Sequence, residues 1–125
     1  MNIDEIINQA ADHIERYPES YNFGQGMVIN KNFKGFGPDP GPGGPIACML
    51  SRIGEIAGYP LGTQCNRVST DLLGLQPDCF YGEIRAATAA KYESGPFDPV
   101  HNTQTIPNAM RALAKRYEGI PAVVR

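Results

Sequence analysis

Cys48 is the first residue whose type and setting could do chemistry. It stands in "GPDPGPGGPIACML", residues 37–50, where eight of the first nine residues are Gly or Pro and an apolar run follows. Pro45 suits the first position of a helix, where a missing N–H costs nothing. The spacing therefore predicts a helix that begins at Pro45 and carries Cys48 in its first turn. A thiol there sees the helix dipole and free N–H groups, which favour the thiolate. On a helical wheel Cys48 lies about 160° from Ile46, Leu50 and Ile53 taken together, on the side of Ser51, Arg52 and Glu55. A cysteine that only packs would more often stand on the apolar stripe. The alternative is that another segment covers this face and makes Cys48 ordinary buried packing.

A thiol nucleophile also needs a base. His101 follows in "DPVHNTQT", with Asn102 beside it. The order Cys, His, Asn follows the logic of papain-like hydrolases and transferases, in which a helix N-terminus carries the thiol. The opposing reading makes His101 a loop histidine satisfied by backbone groups. An anion offers a second chemistry for the same segment. Residues 37–45 have the glycines of a phosphate cradle, but their four prolines remove donors and the Walker lysine is absent, which excludes a P-loop. A looser site for an anionic or nucleotide-like ligand remains, built from the N–H groups of Ile46 and Ala47 with Arg52. Thr105 belongs to the same ligand surface. His13 and His101 are the only histidines. Asp98 and His101 lack a second pair, so neither a metal nor a cofactor is expected. Arg111, Lys115 and Arg116 read as a solvated outer face of the last helix, and His13 as a boundary residue of the first.

These residues need elements to position them. Ile3, Ile6, Ile7, Ala10, Ala11 and Ile14 form one apolar stripe at helical spacing. Asn2 and Glu5 suit a capping box at its start, and Pro18 ends it. "YNFGQGMVINKNFKGFG" reads as a short hairpin, roughly 21–30 and 31–36, turning at "NKN". The second long helix has Ile46, Met49, Leu50, Ile53, Ile56 and Ala57 inward and stops at Gly58. A helical turn is expected near 69–75. Another helix follows with Phe80, Ile84 and Ala87 on one side, and a last one spans about 106–117, with Thr105 as its cap. "PAVVR" reads as an extended tail. The sum is a single α+β domain over residues 1–125, helix-dominated, with about four helices and one short β-hairpin.

The bulk numbers bound the function. A chain of 125 residues suits one domain and needs no staple. A net charge of −2 argues against a phosphate-tracking nucleic-acid binder. Three cysteines without a CxxC pair fit reduced thiols rather than a disulfide framework. No apolar run approaches a bilayer span, and the acidic, amphipathic start is unlike a signal peptide, so a cytoplasmic setting is expected, with no membrane partner.

The order "INQAADHIERY", "GQGMV", "PIACMLSRIGEIAG", "HNTQTIPNAMRALAKRY" resembles an uncharacterised family of small bacterial and phage proteins. Ala10, Ala11, Ile14, Glu15, Arg16, Cys48, Asn102 and Thr105 are the matching positions. The chain departs in its longer Gly/Pro loop, in His101 where an aromatic is usual, and in a shorter late loop with Thr103 after the Asn. The resemblance implies an architecture and a phage or bacterial setting, with no reaction attached. The expectation is a small accessory protein that binds a protein partner or a small anionic ligand, to inhibit a host system or sequester from it. The alternatives are a Cys48/His101 thiol enzyme and a self-assembling homo-oligomer.

Overall fold

The computed structural model describes residues 1–17, 21–22, 47–60, 63–76, 79–80, 82–84 and 105–124. Helix α1 spans Ile3–Arg16, and its whole apolar stripe is buried. Each isoleucine so placed contributes about 1.5–3 kcal/mol relative to exposure. At its start the backbone N–H of Asn2 donates to Glu5 Oε1 at 3.4 Å, the reciprocal arm of a capping box. Tyr17, next to Pro18, leaves the helical region at φ −132° and ψ 61°, in keeping with the steric bias against helical backbone before a proline. His13 lies deeper than its boundary position suggested. It is buried, with its ring 5.1 Å from that of Tyr17.

Helix α2 spans Met49–Ala57. Met49, Leu50 and Ile53 are fully buried, and Ile56 and Ala57 are partly so. Gly58 closes it at φ +100°, with its N–H donating to the carbonyl of Gly54 at 3.1 Å. Helix α3, Cys65–Arg67, runs directly into a π-helical segment, Val68–Leu73. That segment stops at Gly74, φ +69°, whose N–H donates to the Ser69 carbonyl. The buried Ser69 hydroxyl donates to the Leu75 carbonyl at 2.6 Å, so no polar group is stranded there. Residues 79–80 and 82–84 are helical, with Phe80 and Ile84 buried. Ala87 lies outside the described residues. Helix α4, Thr105–Ala114, continues as a 3₁₀ turn over Lys115–Tyr117. Thr105 is thus the first residue of the helix.

Both α2 and α4 pack on α1, whose stripe therefore serves two partners, and the π-helical segment packs on α2. Ile106, Met110 and Leu113 of α4 complete the core.

Two expectations need correction. The α+β class does not hold, because the described residues are predominantly helical and contain no β-hairpin. Tyr21–Asn22 instead runs parallel to Ala47–Cys48 over two residues. Parallel pairing requires a crossover connection rather than a tight turn, and two residues supply no sheet face on which helices could layer. The proposed arms and "NKN" turn at 23–36 lie outside the described residues. The second correction concerns where α2 begins. Pairing with Asn22 holds Cys48 in extended backbone, so the helix starts at Met49 and not at Pro45.

Candidate functional site

The shifted start of α2 changes the position of Cys48. It is not a residue of the first turn. It is the residue immediately before the helix, and the wheel that turned it away from the apolar stripe does not apply to an extended residue. The N-terminal end of the α2 dipole still lies beside it. Ala47 is paired with Tyr21 in the same short ladder. Ile46, His101 and Asn102 lie outside the described residues. Arg52, expected to reach an anion, is a buried side chain on α2, with Nη1 3.5 Å from Glu55 Oε2. Thr105 begins α4. Of the expected site residues, Ala47 and Cys48 are therefore adjacent to the start of α2, Arg52 lies one turn inside it, and Thr105 begins a different helix.

Two further thiols are described. Cys65, half-buried, places Sγ 3.4 Å from Ser51 Oγ on α2, and Cys79 is exposed. Among the described residues no group of three His, Cys, Asp or Glu side chains is placed to hold a metal ion, and no helix is long and apolar enough to cross a membrane.

Among the described residues, Arg52, Arg67, Arg111 and Arg116 are engaged within the fold. Arg111 was expected on a solvated face. It instead spans from α4 to α1, with Nη2 2.8 Å from Asp12 Oδ1 and Nη1 2.8 Å from Glu15 Oε2. Asp12 and Glu15 are one turn apart, so a forked guanidinium can meet both. Hydrogen bonds to Asp12 and then Glu15 hold the guanidinium above its already high ordinary pKa, against the smaller opposing effect of burial. Arg116 pairs with Glu83 at 2.7 Å. Arg67 pairs with Asp71 at 3.6 Å and lies over the Tyr59 ring, 5.9 Å from its centroid. Tyr117 donates its hydroxyl to the Leu73 carbonyl at 2.7 Å. Burial, helped by the Glu83 carboxylate and opposed by Arg116, raises its phenol above the usual tyrosine range.

One surface went unrecognised in the sequence. Gly119, at φ +75°, turns the chain out of the 3₁₀ turn and back along the start of α1. The Ile3 N–H donates to the Ile120 carbonyl at 2.8 Å, and the Ala122 N–H donates to the Met1 carbonyl at 3.1 Å. Asn2 and Pro121 face each other in an antiparallel bridge. This clasp satisfies the first N–H of α1, a donor that has no partner within the helix. It also brings residues 120–122 alongside Met1 and Ile3. Met1, Ile120, Val123 and Val124 are 57%, 45%, 56% and 43% exposed, and they are the exposed large hydrophobic residues among those described. The apolar character of "PAVVR" was the available signal, but only the folded chain brings it beside Met1.

Comparison with protein-family models, with curated proteins and with solved structures finds nothing that matches this chain.

Proposed function

We propose that this chain is a small accessory protein that acts by binding a protein partner. One observation carries the reading: the exposed large apolar residues among those described are Met1, Ile120, Val123 and Val124, on the two segments that the clasp brings together. Exposed apolar residues scattered singly are ordinary on any surface, and their concentration on two adjoining segments is what supports a contact surface here. A protein partner is favoured over a small anion because, among the described residues, Arg52, Arg67, Arg111 and Arg116 each have a carboxylate partner within the fold. A host protein that the chain inhibits or sequesters suits the bacterial or phage setting implied by the resemblance.

Site-specific photo-cross-linking in the source cells tests this. A cross-linker at Val123 should give one discrete adduct, and the same group at exposed Glu118 or Asn66 should give little. Val124→Asp should abolish the Val123 adduct while thermal stability stays unchanged. Equal labelling at all positions, or no adduct at Val123, overturns the proposal.

A second reading is a thiol enzyme built on Cys48, with His101 as base and Asn102 as its orienter. It is favoured by the position of Cys48 directly before α2, where the helix end stabilises a thiolate. Exposed Cys79 is an internal control. Alkylation of Cys48 in the native protein should then outpace that of Cys79 near neutral pH. Equal or slower alkylation ends this reading.

A further inference from the structure

We draw no further inference here: the strongest candidate outside the surface already described, the 3.4 Å contact between Ser51 Oγ on α2 and the half-buried Cys65 Sγ on α3, rests on a lone cysteine, and nothing in the structure points to a ligand there.

Discussion

Replacing Gly54 by alanine sets two well-defined effects against each other. Gly54 lies inside α2, and glycine in a helix interior is about 1 kcal/mol worse than alanine. Propensity alone therefore says that Gly54→Ala stabilises the protein. The packing says otherwise. A Cβ at this position would stand 2.8 Å from Val68 Cγ2 and 3.5 Å from Cγ1. The first distance is shorter than carbon atoms tolerate, so something must move. Val68 is buried at the start of the π-helical segment, and its β-branched side chain has few alternative rotamers. Overpacking of a filled core costs about 1–3 kcal/mol. The difference leaves a net loss of about 1 kcal/mol, read as a lower urea midpoint at unchanged slope. For a chain of this size it lowers Tm by about 3–5 °C. Val68→Ala alone should destabilise through the cavity it leaves. Combined with Gly54→Ala, it removes the clash and allows the propensity gain to appear. The double variant should accordingly be more stable than the sum of the two single changes by at least 1 kcal/mol. If Gly54→Ala raises stability by its full propensity, or the two changes simply add, the close approach of α2 to the π-helical segment is refuted.

Arg111→Ala should cost about 1 kcal/mol, because partly exposed pairs are weak singly but here one guanidinium serves two carboxylates. A double-mutant cycle with Glu15→Gln should show favourable coupling that shrinks in high salt. Tyr117 keeps its proton more tightly when folded than when unfolded. Its contribution to stability is therefore complete below about pH 10, the unfolded tyrosine value, and is lost as pH rises through the higher folded value. Denaturation midpoints should fall along that alkaline limb. Tyr117→Phe should flatten the fall and cost about 1 kcal/mol at neutral pH through the missing bond to Leu73. Deleting residues 120–125 should leave the Ile3 amide without its partner. Hydrogen exchange there should speed up by at least tenfold while the amides of Ile7 and Ala11 keep their protection; equal loss throughout α1 would mean that the clasp supports the whole fold.

Local regularities were legible where one physical cause acts along a few neighbouring residues. The stripe of α1 follows from the helical period acting on Ile3, Ile6, Ile7, Ala10, Ala11 and Ile14. The end of α2 follows from the left-handed freedom of Gly58. The inward face of α4, from Ile106 to Leu113, has the same periodic origin. The start of α2 is not legible locally, because Pro45 satisfies the local rule for a helix start while Asn22, far away in the chain, holds Cys48 extended. Cys48 therefore precedes the helix in extended backbone, and no helical face orients it.

Charge and burial were less legible for a related reason. Arg111 on α4 and the Asp12–Glu15 pair on α1 each look like an ordinary solvated helix face. Their attraction exists only once both helices pack on one core and bring groups 96 and 99 residues apart within 2.8 Å. The same holds for the corner where Met1 meets Ile120 and Val124. Periodicity and turn chemistry are short-range, so the sequence by itself determined the buried stripe of α1, the end of α2 and the inward face of α4. The meeting of its two ends, the cations engaged inside the fold and the extended backbone of Cys48 belong to contacts between distant segments, and only the tertiary structure decided them.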